Sequence, residues 1–296
     1  MSRINTNVQS LIAQRVLGNN NLGLGRSLER LSTGLRINRG KDDPAGLIAS
    51  ESLRSEMEGI PHEIIVVDGG SADGTIEWLA AQKDVITIVQ HNRGEWRGVQ
   101  LQRRSWGYFM NLGFRAASSK YVCMVSDDCL LVPGCIRNGV EVFESAAAHG
   151  RKVGAAAFYW RNWPEASRYW VGRTLGKKLF VNHGLYLRSA MQEVGFADED
   201  SYSFYHADGD LSLKLWDAGY ECIDAPQSFV EHFSHANLAV RASNQERQKQ
   251  DWDTYVARWT GTFHDAESNF TGDWIELRDR WEWSHVVRAA LAWVER

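Results

Sequence analysis

At 296 residues the chain is long enough for one large domain plus an appendage, and a formal net charge of −4 leaves no basic excess to suit a nucleic-acid backbone. No apolar run is long enough to span a bilayer, and the first residues carry no apolar block of the secretory kind. Four cysteines, Cys123, Cys129, Cys135 and Cys222, lack the close pairing of a zinc site and are too few for a disulfide framework, so they are expected to be reduced, mostly buried groups in a cytoplasmic protein.

Residues 1–58 are polar and rich in Asn and Ser, with Leu24, Leu28, Leu31 and Leu35 spaced by four and three. That spacing lays an apolar stripe along a helix that needs partner helices, because alone it has no core. From Pro61 the pattern changes. Glu63–Asp68 predicts a short buried strand ending in an acid, Gly69–Thr75 a loop with helix-capping residues, and Thr75–Gln82 a helix. Val85–Val89 is the next strand, and a helix is expected over about Trp106–Ala117. Tyr121–Val125 is then an apolar run that stops at Asp127-Asp128, consistent with a strand in a parallel sheet that delivers carboxylates at its C-terminal end. Alternation of strands and helices predicts an α/β fold.

Farther along, Ile136–Ala148 predicts a helix and Val153–Phe158 a strand. Leu179–Arg188 has a turn-like centre at Asn182-His183-Gly184, and a short helix covers Ser189–Val194. Asp208-Gly209-Asp210 opens a helix that stops at Gly219; Tyr220–Pro226 and Ser228–His232 suggest two short strands around a turn. Residues 241–296 are Trp-rich and expected to be helical, with Trp274, Leu277 and Trp281 on one face.

Two resemblances attach to particular words in this text. Met1-Ser-Arg-Ile-Asn-Thr-Asn7 and Leu31-Ser-Thr-Gly-Leu-Arg-Ile-Asn-Arg-Gly-Lys-Asp-Asp-Pro-Ala-Gly-Leu47 resemble the N-terminal segment of bacterial flagellin, through about Met57. Ile64–Thr75, Met110-Asn-Leu-Gly113, Val125-Ser-Asp-Asp128, Val194-Gly-Phe-Ala-Asp198 and Ala207–Tyr220, closed by His232, resemble the family 2 glycosyltransferases over about residues 61–236. The second resemblance implies a glycosyltransferase A fold: a Rossmann-like α/β sheet with helices on both faces, here over residues 59–240.

That resemblance also implies roles. Asp68 contacts the nucleobase or caps the strand end; Asp127 binds the ribose or a metal-bound water; Asp128 binds Mg²⁺ or Mn²⁺. Ser126 stands where the family often has a first acid. Asp208 matches the general base, or caps its helix, and Asp210 orients the loop or binds acceptor. His232 contacts the metal or diphosphate, or is a structural histidine, with His235 as its neighbour. Asn111 and Gly113 shape the nucleotide pocket. Trp160, Trp163, Tyr169 and Trp170 stack on a sugar or pack in the core. The implied reaction is metal-dependent transfer of a sugar, with inversion, from a nucleotide-diphosphate donor of the UDP or dTDP type to a saccharide or glycoprotein hydroxyl. The flagellin-like arm suggests flagellin or the flagellar export apparatus as partner and association with the flagellum. The alternatives are a filament-associated structural protein and an inactive fusion. The family's first strand, rich in Val and Ile, has no counterpart before Glu63, which predicts weakened nucleotide binding.

Overall fold

The computed structural model describes residues 60–92, 95–163, 165–233, 245–265 and 273–276, all within one compact unit, Glu51–Glu282. The expected flagellin-like helices, the position of the family's first strand, His235, Leu277 and Trp281 lie outside the described residues.

Strand β1 (Ile64–Asp68) pairs in parallel with β2 (Val85–Val89), from Ile64 opposite Val85 to Asp68 opposite Val89. Helix α1 (Thr75–Ala80) joins them. A two-residue hairpin, β3 (Glu95–Trp96) and β4 (Val99–Gln100), precedes α2 (Trp106–Ala116), which Ser105 caps by accepting the Tyr108 amide. Helix α2 lies against β1; a Cβ on Gly113 would stand 3.4 Å from a Val67 methyl. The Glu63 carboxylate accepts bonds of 2.7 to 3.1 Å from the amides and hydroxyls of Ser118 and Ser119, tying the foot of β1 to the chain just before β5 (Tyr121–Met124).

The main sheet has seven strands: β5, β6 (Cys129–Leu131), β7 (Val153–Asn162), β8 (Trp170–Arg173), β9 (Gly184–Leu187), β10 (Glu221–His232) and β11 (Asp273–Glu276). Helices α3 (Cys135–Ala148), α4 (Arg188–Glu193), α5 (Ala207–Asp217) and α6 (Gln248–Trp259) complete the described elements. Strand β7 is central and alternates its faces as a pleated strand must. Ala155, Ala157 and Tyr159 join Phe114, Met191, Leu211 and Leu215 in one core, while Ala156 and Phe158 join Phe143 and Ala146 of α3 in the other. Both faces are thus covered by helices, as expected of the α/β class.

Strand direction departs from expectation. Among the described strands, only β1 with β2 and β7 with β10 run parallel; β5 with β9, β9 with β7 and β6 with β10 are antiparallel. The strand that ends in Asp127-Asp128 therefore has a described neighbour running the opposite way. This has a consequence for the site: Met124, at the end of β5, lies opposite Gly184, at the start of β9, so the residues leading into β9 arrive at the same rim as the acids. Likewise His232, at the end of β10, lies opposite Cys129, at the start of β6. Strand β10 is one strand, not two; the expected turn is an irregular register between Ala225 and Phe229, where Pro226, lacking an amide proton, sits.

The C-terminal part is not uniformly helical. Trp274 belongs to β11, its backbone opposite Gly172, where a helical face had been expected. Helix α6 does form, and Tyr255 and Trp259 bury themselves with Leu175, Tyr202, Ala207 and Leu213, making it part of the α5 packing.

Candidate active site

Asp68 ends β1 and is nearly buried, at 7% exposure. One carboxylate oxygen accepts the Gly70 and Ser71 amides and the other the Ser71 hydroxyl, all at 2.7 Å. Burial raises its pKa, but the bonds from Ser71 and Gly70 outweigh that and hold it below the usual carboxylate range. Gly70 completes the turn at φ +95°, with a Cβ there only 2.4 Å from the His91 ring. Asp68 therefore caps the strand end, and a base-binding role would have to use the lone pairs left on the same oxygens.

The end of β5 opens into the acidic pair. Asp127 is an exposed residue whose carboxyl is pushed above the usual range, first by partial desolvation and then by the charge of Asp128, with a smaller contribution from Asp68. Asp128 is half-buried. Burial raises its pKa, but His232 and the Ser126 hydroxyl, 2.7 Å from Oδ1, bring it down to about 2. Its Oδ2 stands 3.2 Å from His232 Nε2, and the opposite ring nitrogen of His232 donates to Asn162 Oδ1 at 2.8 Å. Asn162 and His232 are register partners on β7 and β10, so the sheet itself fixes which nitrogen faces Asp128.

Two further groups complete this corner. Cys129 Sγ lies 3.7 Å from Asp128 Oδ1, and the buried His183 places its ring nitrogens 3.7 and 3.8 Å from the same sulfur. Burial, then the neighbouring His232, lower His183 to about 3, so it is neutral. Trp160 meets both histidines edge-on, at 5.9 Å for His183 and 5.6 Å for His232, and so packs beneath the site. Below it, Arg161 and Glu231 form a buried two-bond ion pair, both bonds 2.7 Å, with the Tyr169 hydroxyl on Glu231. Asp128, Cys129 and His232 each offer one ligand atom, all within 4.8 Å of one another.

Asp208 sits in the first turn of α5. Its Oδ1 accepts the Gly209 amide at 2.8 Å and its Oδ2 the Asn182 side-chain amide at 2.8 Å. Asn182 and His183 are consecutive, so one dipeptide entering β9 touches Asp208 on one side and the Cys129 corner beside Asp128 on the other. The helix start is held from behind. His206, in the left-handed region at φ 68°, stacks on Tyr255 with ring centroids 5.3 Å apart. Asp251 of α6, buried, accepts the amides of Ser203, Phe204 and Tyr205 at 2.8 to 2.9 Å. Asp251→Ala leaves three partly buried amides without their acceptor, and a loss of about 1 kcal/mol, the low end for unsatisfied donors, is expected. Faster hydrogen exchange at 203–205, with β7 unchanged, is the readout.

Asn111 is fully buried and spends its amide on Ala197 and Glu199, with the Ala197 amide returning a bond, so it fixes the 197–199 loop. Asp210 is fully buried and accepts bonds from Tyr202 and Trp259, which ties the loop before α5 to α6. A cavity of about 840 Å³ lined by Arg151, Arg173, Lys177, Lys178 and Trp216 contains none of the expected site residues. Sequence reasoning passed over Asn162, Asn182 and His183 as site groups and took Cys129 for an apolar filler. Register across antiparallel strands recruits them, and the turn-like Asn182-His183-Gly184 was the one local sign.

Comparison with known proteins follows this geometry. The family description "Glycosyl transferase family 2" matches residues 48–198, and "Bacterial flagellin N-terminal helical region" matches residues 4–64. The chain is similar to the flagellar filament 33 kDa core protein of Treponema phagedenis, 51% identical over 57 residues, which are 19% of this chain and 20% of that protein. It is also similar to polar flagellin F of Vibrio parahaemolyticus, 44% identical over 91 residues, 30% and 24% of the two chains. The crystal structure of S. aureus TarS 1-349 aligns at 12% identity with a TM-score of 0.44, over 65% of this chain and 58% of that one. This chain thus spans about a fifth to a quarter of the flagellins and well under two thirds of TarS. Asp208 and His232 lie beyond the family match, and Asp68, Asp127 and Asp128 within it. With residues 48–198 matched, just over half of its 296 residues, the chain belongs to glycosyl transferase family 2.

Proposed function

We propose that the chain transfers a sugar from a nucleotide-diphosphate donor to a hydroxyl acceptor, with inversion at the anomeric carbon and with a divalent ion. The observation that carries this reading is the shared corner: Asp128 faces His232 across 3.2 Å, and Asp208 is tied to the same corner through Asn182-His183. Asp128 and His232 fit an ion, because the sheet presents a carboxylate oxygen and an oriented imidazole nitrogen 3.2 Å apart. A bound Mg²⁺ or Mn²⁺ would offset the negative charge that grows on the leaving diphosphate. Asp208, oriented by Asn182, takes the acceptor's proton as the sugar–nucleotide bond breaks. One base on one face supports a single displacement.

The parts are assigned as a flagellin-like segment over 1–58, a catalytic domain over 59–240 and a C-terminal extension over 241–296, the last contributing Asp251 and Tyr255 to the catalytic domain's packing. No helix among the described residues is long and apolar enough to cross a membrane. The flagellin-like segment favours a flagellar acceptor or export partner, and co-sedimentation with assembled flagellin checks that.

The test is release of nucleoside diphosphate from UDP- and dTDP-sugars, with and without Mn²⁺, for the wild type and Asp128→Ala. Release that requires the metal and falls at least about 100-fold in the variant is expected, the scale on which charge-stabilising groups act. Equal release by both proteins removes Asp128 from the chemistry. No release from any donor favours the inactive-fusion alternative.

A further inference from the structure

The sulfur beside Asp128 changes what this corner can hold. The acids alone make a hard, oxygen-rich site of the kind that Mg²⁺ and Mn²⁺ share with substrate phosphates. Here a thiol stands within 4.8 Å of both the carboxylate and the imidazole. We infer that Asp128, Cys129 and His232 form a site for a thiophilic divalent ion, Zn²⁺, which binds without nucleotide and competes with the ion proposed for the donor.

Geometry carries the inference. Tetrahedral zinc, with bonds of about 2.0 Å to oxygen and nitrogen and about 2.3 Å to sulfur, sets ligand-to-ligand edges of about 3.3 Å and about 3.6 Å. Asp128 Oδ2 stands 3.2 Å from the His232 imidazole nitrogen and Asp128 Oδ1 3.7 Å from the Cys129 sulfur, and one ligand atom from each of the three residues lies within 4.8 Å of the other two, so a small closing of the side chains brings them onto those edges. Cys129 and His232 are register partners on β6 and β10, so their approach is built into the sheet. Asn162 holds the far nitrogen of His232, the outer-shell arrangement that orients a metal-binding imidazole.

A second, independent observation points the same way. His183 is 5% exposed, and its imidazole ring lies against the Cys129 sulfur, with the two nitrogens 3.8 and 3.7 Å away. A buried imidazole packed on a thiol is an outer-shell neighbour of the sulfur. On binding, the Cys129 S–H proton leaves to solvent as the S–Zn bond forms, and no electron transfer is involved. Thiolate ligation selects Zn²⁺ over Mg²⁺ and Mn²⁺, because softness of the ligand discriminates where charge does not. Binding itself is independent of the proposed transferase reading; only the competition rests on it.

The test uses the full chain and Co²⁺ as a spectroscopic stand-in for Zn²⁺. A near-ultraviolet sulfur-to-cobalt charge-transfer band that Zn²⁺ abolishes and Mg²⁺ does not is expected. Cys129→Ser should remove the band and weaken Zn²⁺ by more than the roughly 10- to 100-fold typical of losing an outer-shell partner, while Cys123→Ser keeps both. No sulfur band in the wild type overturns the proposal without need of any variant, and so does a band that survives Cys129→Ser. A sulfur band in a protein that releases no nucleotide from any donor supports this site and removes the transferase reading. Metal-dependent release without a band does the reverse.

Discussion

Asp208→Asn is expected to lower sugar transfer by about 10²- to 10⁴-fold, the range that a positioned general base contributes, while donor affinity stays the same. Asparagine keeps the size and the carbonyl oxygen, so the bond from the Gly209 amide survives and the start of α5 is undisturbed. What disappears is the ability to take a proton, along with the oxygen that accepts the Asn182 amide. A role limited to the helix start, where Asp208 lies in the first turn after His206, would predict near-normal turnover, because Asn keeps the bond from the Gly209 amide. Initial rates over a range of donor concentrations separate the two: a fall in kcat at constant KM supports the base, and unchanged kcat leaves Asp208 with a role at the helix start alone. Asn182→Ala should give a smaller loss in the same direction, since it removes the amide that orients the carboxylate.

Glu231→Ala is expected to be the most destabilising single change, at about 3–5 kcal/mol, the cost of leaving one member of a buried ion pair without its partner. Arg161 and Glu231 have side chains exposed by only 3% and 1%. The variant leaves a guanidinium charge in the core, and the Tyr169 hydroxyl loses its acceptor. Against a typical total of about 5–15 kcal/mol, that loss is a large share of stability. Equilibrium unfolding in urea measures it, and a change below about 1 kcal/mol would mean that water reaches the pair. Because Glu231 and Arg161 precede His232 and Asn162 on register-paired strands, the same substitution should also loosen the imidazole that faces Asp128.

The parts of the fold legible in the sequence are those decided locally. β2 spans Val85–Val89 as expected, and α2 and α3 lie within a residue of their expected limits, because apolar runs and capping residues mark them. Direction was not legible. Whether β5 has a parallel or an antiparallel neighbour depends on which distant segment reaches its edge, and Gly184–Leu187 carries no local mark of orientation. The site shows the same division. Asp68, Asp127, Asp128 and Asp208 were found as acids at strand ends and a helix start. Asn162, Asn182 and His183 act only through pairings dozens of residues apart, and the partners of Asn111 at Ala197 and Glu199 are equally remote. Trp274 was placed on a helix because a Trp-rich segment has no clean two-residue alternation to announce a strand.

A structure of the chain with Mn²⁺ and a nonreacting UDP-sugar analogue tests the central claim most directly. One donor should span the rim, with anomalous Mn²⁺ signal at coordination distance from Asp128 and His232, the nucleobase on the Asp68 side, and the anomeric carbon open to attack from Asp208. A nucleotide bound instead in the basic cavity of Arg173, Lys177 and Lys178, or Mn²⁺ located away from Asp128, would contradict it.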